Sequence, residues 1–440
     1  MGRPRKALAL GVWMNSERVG TWRVSATGEH ELHYDPAWVD SPLGRPVSLS
    51  MPLRPPEVPY KGDVVRNYFD NLLPDNREIR ERIAHRFRAS TDTFDLLREI
   101  GRDCVGAVQL LAEGDTPKAV FEIHAEPMSE AQIEGHLHDA LRGNILGRAA
   151  EDEFRISLAG AQEKTALLHH EGRWCRPRGS TPTTHILKLP LGQTPGGIDL
   201  TTSVENEWLC MRLLRAFDVP VANVKMVRFG SQGALCVERF DRRLSEKGWW
   251  QRLPVEDFAQ VFGVAPNRKY EADGGPGIRR ISEQLSGSST SEVDRRDFFR
   301  TLVLLWMLAA IDGHAKNYSI FIEPRGLFRL APRYDVLSAY PVMGTKAGMI
   351  PPKKVAMAMA VWGKNRHYRW AEIKRMHFEH TGKEIRVAQP GAMIDDIVAK
   401  TDAAIAAVKR ELPDGFPGSV AGPIFDGLSK ASRKLDEQRD

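Results

Sequence analysis

Cysteine is scarce in this 440-residue chain. Its four copies, Cys104, Cys175, Cys210 and Cys236, stand singly, with no CxxC pair and no histidine tract beside them. That scatter argues against a zinc site and a disulfide scaffold and points to a reducing compartment, the cytoplasm. Long apolar runs are also missing. The strongly apolar stretch Phe298 to Ile311 is too short to span a membrane, so no membrane partner is expected. Charge of one sign is not in excess: 62 basic against 57 acidic residues give a formal +5, which permits contact with phosphates or nucleic acid without demanding it. No internal repeat is present. At the start, the basic Met1 to Lys6 and apolar Ala7 to Trp13 are interrupted by Asn15 and Arg18, and the stretch reads as a first strand and turn rather than a signal peptide.

What is there is an ordinary globular composition long enough for two or three lobes. Residues 8 to 60 predict short strands with turns at Thr27-Gly28-Glu29 and Asp40 to Gly44. Helix-period residues follow at Asn67 to Asp75, Arg77 to Phe87 and Thr93 to Ile100, with Gly101 as the stop. Ala107 to Ala112 reads as a strand, and 113 to 150 as a polar connector carrying one helix near Glu130 to Leu141. Strands are expected around a hairpin at Glu171-Gly172, at His185 to Pro190, and at Asn223 to Phe229 and Ala234 to Asp241. Helices are expected from Ser203, over Glu256 to Phe262, near Ile281 to Leu285, over Phe298 to Ile311, over Ala371 to His380 and over Ile394 to Leu412. Val355 to Ala358 reads as a short strand or turn, Lys374-Arg375 with Lys383 and Arg386 as a solvated basic face, and 428 to 440 as a frayed charged tail.

Chemistry concentrates where the apolar helix ends, in Ile311-Asp312-Gly313-His314-Ala315-Lys316-Asn317, and again at Tyr334-Asp335 after an apparent hairpin. An Asp, an Asn five residues on and a second Asp beyond a hairpin suit phosphoryl transfer to a hydroxyl. The first carboxylate, Asp312, accepts the hydroxyl proton, while Asn317 and Asp335 hold Mg2+ against nucleotide phosphates. His314 donates to phosphate or fixes the loop. The plain alternative makes Asp312 a cap, Asn317 a turn residue and Asp335 a solvated loop residue. Upstream, Phe154 to Leu168 is strand, small-residue loop, strand. Its Ala159, Gly160 and Ala161 allow backbone amides near a phosphate, although the loop is neither GxGxxG nor a Walker loop. Lys188 sits among apolar neighbours on a strand, a costly place unless paired, with Glu207 the favoured partner over Glu205. Glu238 and Phe240 offer backbone groups to an adenine, and Asp241 could reach a ribose; an edge strand with charged ends explains the same residues. The Gly-rich Asp273 to Gly277 is left without a role.

The strings ISLAGAQEKTALL, LPVEDFAQVFG and DGHAKNYSIF, with Asn67 to Asp75, resemble the HipA family, serine/threonine kinases that act as toxins of bacterial type II toxin–antitoxin modules. The resemblance runs over nearly the whole chain. It implies an α+β fold, bilobal and protein-kinase-like in the manner of the phosphatidylinositol 3-/4-kinases. A HipA-type β-rich N-terminal subdomain (1–112), a connector (113–150) and a nucleotide-binding N-lobe (151–250) would precede an all-helical C-terminal lobe (251–440). It implies ATP and Mg2+ as cofactors and Asp312 as base, assisted by His314. Asn317 and Asp335 become metal ligands, and Ala159, Gly160, Ala161, Gln162, Glu163 and Lys164 the phosphate loop. Lys188, with Glu207, becomes the nucleotide lysine, Glu238, Phe240 and Asp241 the hinge and ribose contacts, and Lys316 a further nucleotide contact. Ser157 corresponds to the serine these kinases autophosphorylate. Implied partners are an aminoacyl-tRNA synthetase as substrate, the glutamyl enzyme foremost, a HipB-like helix-turn-helix antitoxin, and operator DNA bound with it. Two competing readings are a co-repressor subunit that binds antitoxin and DNA, and a metal-dependent hydrolase using Asp312, His314 and Asp335.

Overall fold

The computed structural model describes residues 8–142, 157–159 and 162–439. The chain divides into two compact units that each draw on separated stretches: 1–189, 227–268 and 320–328 form the first, and 190–226, 269–319 and 329–440 the second. The units therefore do not follow the four consecutive segments expected from sequence. Residues 190–226 belong with the second unit because helix Ser203–Ala216 packs on helices Pro390–Arg410 and Gly418–Asp436.

In the first unit the N-terminal residues build a five-stranded antiparallel sheet, in the order Tyr60–Lys61, His30–Tyr34, Glu17–Val24, Leu8–Met14, Gln109–Ala112. Helices Asp63–Asp70, Arg77–Phe87 and Thr93–Ile100 supply the other side of its core. Trp22 is the centre of that core. It is fully buried, stacks on Phe69 with centroids 3.9 Å apart, and donates its indole N–H to His30 Nδ1 at 3.2 Å, so no polar atom of the ring is left dry. Gly101 ends the third helix at an ordinary φ of −77°, not a left-handed one; glycine is needed because a Cβ there would lie 2.4 Å from the Leu97 carbonyl and 2.9 Å from Leu110.

A six-stranded sheet follows, ordered Val224–Phe229, Gln232–Glu238, His185–Lys188, Lys164–His170, Arg173–Pro177, Ala125–Pro127. Its last strand comes from the segment expected to be mere connector. Helix Glu130–Arg142 covers the sheet through Ile133 and Leu137, against Leu167, Leu187 and Phe229. The expected helix over 256–262 is instead a strand, Val255–Asp257, running into a single helical turn, Phe258–Val261, because Asp257 and Gln260 form a capping box that starts the helix two residues late.

Polar side chains stitch the N-terminal part to these later strands. Asn67 and Asn71 donate to the carbonyls of Gly263 and Val264, each at 2.8 Å, and Gln260 donates to the Tyr68 carbonyl at 3.1 Å. Deeper lies a cluster of five charges. Asp103 accepts from Arg242 at 2.9 Å, from Arg252 at 3.2 Å and from the Thr183 hydroxyl at 2.7 Å, and sits 3.4 Å from Arg239. Asp241 accepts from Arg239 and Arg242, both at 2.8 Å. The third cation is balanced by the carbonyls of Cys104, Gly106 and Ser180. Burial opposes ionisation of Asp103, but Arg242, Arg239, Arg252 and Thr183 together outweigh it and hold the carboxyl well below the usual carboxylate range.

The second unit is not all-helical. Beside helices Ile278–Leu285, Ser291–Met307 and Arg375–Glu384 it contains a hairpin, Ala356–Trp362 with Arg366–Arg369. The tail expected to fray is the helix Gly418–Asp436, with Ile424, Leu428 and Leu435 at zero exposure. Arg375, expected on a solvated basic face, is buried and ion-paired with Glu379 and Asp395 at 2.7 and 2.8 Å. Trp306 and Trp370 donate their indole N–H groups to each other's carbonyls at 2.9 and 2.8 Å, which pins the central helix to the segment after the hairpin. Among the described residues no helix is long and apolar enough to cross a membrane.

Asp103→Ala leaves three buried guanidinium groups without the carboxylate they share, and should destabilise the first unit by about 3–5 kcal/mol in denaturant titration. Arg77→Ala, which removes an exposed pair with Glu81, should cost under about 0.5 kcal/mol. Glu256, fully buried with Oε1 accepting the Leu49 N–H at 2.7 Å, has its carboxyl pushed up to about 8 by burial. The folded state then holds a proton that the unfolded chain has lost, so this group's contribution is complete below about pH 4.5 and is lost as pH rises through about 8. Melting curves of the Glu256→Gln variant should fall less between pH 5 and 8 than those of the parent; equal slopes would refute the assignment.

Candidate active site

Helix Ser291–Met307 is buried from Phe298 onward except at Arg300, because its second half carries almost no polar residue. It stops abruptly. Ala309 adopts a left-handed φ of 47°, and the Ala309 and Ala310 N–H groups turn back to Trp306 and Leu305 at 3.0 and 2.7 Å. A non-glycine residue there costs on the order of 1 kcal/mol and persists only when its surroundings enforce it. Here the Ala339 N–H donates to the Ala309 carbonyl at 2.9 Å and the Ser338 hydroxyl to the Leu308 carbonyl at 2.6 Å.

Asp312 follows with its side chain 62% exposed, while His314, Ala315, Lys316 and Asn317 are all buried. The Asp312 carbonyl collects two donors, the His314 N–H at 2.8 Å and the Asn317 side-chain Nδ2 at 2.7 Å. The second bond fixes the Asn317 amide, committing its nitrogen and leaving the oxygen as the available donor atom. His314 Nε2 stands 3.9 Å from Asp312 Oδ1. Tyr270, absent from the sequence candidates, donates its hydroxyl to the same Oδ1 at 2.6 Å.

The hairpin between the two acids is present as Ser319–Ile322 and Phe328–Leu330. After it, Arg333 is buried, donates to the Asn317 carbonyl and lies 3.7 Å over the Tyr318 ring. Tyr334 donates to the Lys316 carbonyl at 2.8 Å and shares a 2.6 Å bond with Ser319. Asp335 is half-buried at a left-handed φ of 60°. Its loop is clamped two ways: Asn206 donates to the Ser338 carbonyl and accepts its N–H, both at 2.8 Å. Asp312, His314, Lys316, Asn317 and Asp335 thus fall in one unit, with Glu207 buried on helix Ser203–Ala216 of the same unit. Asn206 and Arg333, both working through backbone carbonyls, escaped sequence reasoning because neither carries a local spacing.

The remaining nucleotide candidates fall in the first unit. Lys164 and Lys188 are direct cross-strand partners. Gln162 Nε2 donates to the Leu189 carbonyl at 2.5 Å, Glu163 pairs with Arg82, and Lys164 Nζ bonds the Ala159 carbonyl. Gly160 and Ala161 lie outside the described residues, as does most of the strand expected before Ser157. Glu238 is exposed at the end of its strand, and Phe240 meets Phe321 edge-on at 5.8 Å. Asp241 requires correction. It is 5% exposed, and its two oxygens accept four N–H groups, from Arg239 twice, Arg242 and Gly106, so the carboxylate is committed to the arginine cluster and not presented to a ribose. Ser157 is fully buried, donating to the Leu72 carbonyl at 2.7 Å while its N–H reaches the Asp103 carbonyl at 3.2 Å. Among the described residues no three His, Cys, Asp or Glu side chains group into a metal cage.

The sequence matches the HipA N-terminal domain over residues 10–111 and the HipA-like C-terminal domain over residues 156–407. Putative kinase Y4mE of Sinorhizobium fredii is 32% identical over 430 residues, covering 94% of this chain and 97% of that protein. The serine/threonine-protein kinase toxin HipA of Shewanella oneidensis is 28% identical over 346 residues, 76% of each chain. A solved complex of HipA, HipB and operator DNA from Shewanella oneidensis MR-1 shares the fold, with a TM-score of 0.78 at 24% identity over 98% of this chain and 99% of that one. Two domain matches that leave only short stretches uncovered, together with a relative at 32% identity along almost the full length, mean that the chain belongs to the HipA family.

Proposed function

We propose that the chain is an ATP- and Mg2+-dependent serine/threonine-protein kinase and the toxin of a type II toxin–antitoxin pair. The observation that carries this reading is the arrangement at 312–317. An exposed carboxylate stands on a buried loop, and its own carbonyl orients the amide of Asn317. Asp312 takes the proton of an acceptor serine hydroxyl as that oxygen bonds to the γ-phosphorus and the bond to the β,γ-bridging oxygen breaks. Asn317 and Asp335 provide oxygen donors of the kind a hard divalent cation accepts, phosphates and water completing its shell. Bound Mg2+ would neutralise phosphate charge. His314 and Lys316, buried in the same loop, hold its shape and present positive or donor groups toward the nucleotide.

On this reading Ala159 to Lys164 cradle the phosphates, Lys188 reaches them, and the backbone of Glu238 and Phe240 meets the adenine. The fold is then of the protein-kinase type with the phosphatidylinositol 3-/4-kinases as nearest comparison. The substrate is a serine of an aminoacyl-tRNA synthetase, the glutamyl enzyme first, in the bacterial cytoplasm. The solved Shewanella complex pairs HipA with HipB and operator DNA, and a HipB-like antitoxin and an operator are proposed partners here.

Ser157 is the proposed autophosphorylation site. In its present position the hydroxyl is buried and donates to the Leu72 carbonyl, a bond that a dianionic phosphate would replace with repulsion and a desolvation cost. Phosphorylation would therefore expel the 157–164 loop and stop nucleotide binding.

Asp312→Gln should abolish transfer from labelled ATP while leaving ATP affinity within about threefold, because the base acts on the acceptor; Asp335→Gln should weaken Mg-ATP binding as well. Full activity and equal affinity in both variants would sink the kinase reading in favour of a co-repressor subunit. Ser157→Ala should eliminate self-labelling and keep transfer to the synthetase, checked by mass spectrometry of the labelled peptides; persistent label at another residue would remove Ser157 from this role.

A further inference from the structure

We infer that Tyr270 is a positioning residue for the base Asp312, and that the Gly-rich segment Asp273 to Gly277 is the scaffold that aims it. The inference rests on the reading of Asp312 as base. The phenol donates to Asp312 Oδ1 at 2.6 Å, a charge-assisted bond, and the ring stands edge-on to His314 at 5.0 Å and 86°. The residue before it is tied to the same loop: the Lys269 carbonyl accepts the Ala315 N–H at 3.3 Å. Beyond Tyr270 the chain folds back on itself. The N–H groups of Asp273 and Gly275 both return to the Tyr270 carbonyl, at 3.1 and 2.9 Å, through a left-handed Gly274 at φ 87°. Glu271 locks the turn from the other side, accepting the Ala360 N–H at 2.7 Å. Gly277 leaves room for that carboxylate, since a Cβ would fall 2.3 Å from the Glu271 carboxyl carbon and push the side chain out of its present position.

An exposed carboxylate gains from each bond that narrows its rotamers. The Tyr270 hydroxyl is such a bond at Oδ1, so the geometry for proton transfer is set in part before substrate arrives. The phenol keeps its own proton throughout; the acceptor's proton goes to Asp312. This gives the glycines of 274–277 a purpose that no phosphate contact requires.

The test is phosphate incorporation from labelled ATP into the full-length chain, comparing the parent, Tyr270→Phe and Asp312→Gln at varied ATP. Tyr270→Phe keeps the ring against His314 and removes the hydroxyl alone. The maximal rate should fall about tenfold or more, while half-saturating ATP stays within about twofold and the melting temperature is unchanged. Parent-like maximal rate in Tyr270→Phe, with Asp312→Gln inactive, would overturn the role of the tyrosine and leave the base standing. A lower melting temperature with an unaltered rate per folded molecule would reduce Tyr270 to a structural residue. Parent-like labelling by Asp312→Gln, or none by the parent, would fail the base assignment itself, and the inference with it.

Discussion

The first unit depends on a charge cluster in which Asp103 and Asp241 face Arg239, Arg242 and Arg252 with almost no exposed side-chain surface. Such a cluster brings little net stability over an apolar core, since desolvation of five ions offsets most of their attraction. What it supplies is register. Each of the three arginines reaches an acceptor on a distant stretch of chain: Arg239 reaches Thr183 and Cys104, Arg242 reaches Gly106 and Asp103, and Arg252 reaches Ser180 and Asp103. A shift of one residue in any of them would strand a buried charge. The N-terminal domain is thereby locked to the strands that carry the nucleotide candidates, and Ser157 hangs from the backbone carbonyl of Asp103 itself.

That cluster also explains a misreading. Asp241 follows a strand in a region suited to a nucleotide, so an acid there reads as a ribose ligand. Three of its four donors come from its neighbours Arg239 and Arg242, but what turns those arginines inward, Asp103 and the backbone of 104–106, lies more than a hundred residues away. In the motif LPVEDFAQVFG the polar residues serve the fold: Glu256 and Gln260 bond to the N-terminal domain, and Asp257 caps a helical turn. The string around Asn67 and Asn71 is the other half of the same seam.

Elements with one apolar face, such as Arg77–Phe87, Ser203–Ala216 and Pro390–Arg410, were legible from spacing alone. The helix Gly418–Asp436 was not, although Val420, Ile424, Leu428, Ala431 and Leu435 recur at helical intervals. Pro423 inside it, three glycines and a charged last turn all read as breakers, and packing on neighbouring helices overrides them. Of the hairpin after residue 355 only the start was legible, as a short strand or turn over 355–358; its first strand runs on to Trp362 and packs on helix Arg375–Glu384.

At the site the same division between local and tertiary information recurs. Asp312, Asn317 and Asp335 could be picked out as candidates because their spacing marks a helix end and a hairpin. The groups that orient them could not. Asn206 clamps Ser338, Ala339 holds the left-handed Ala309, and Arg333 bonds the Asn317 carbonyl, all from distant stretches. The left-handed residues on either side, Ala309 and Asp335, are the conformations that unaided chain would abandon first. Because Ser338 and Ala339 bond directly to the backbone of 308–309, the strain at both positions is held by one set of contacts, and loosening either end would release the other. The catalytic candidates are therefore supported as a pair, on a backbone whose unfavourable geometry is stable only while both loops remain docked.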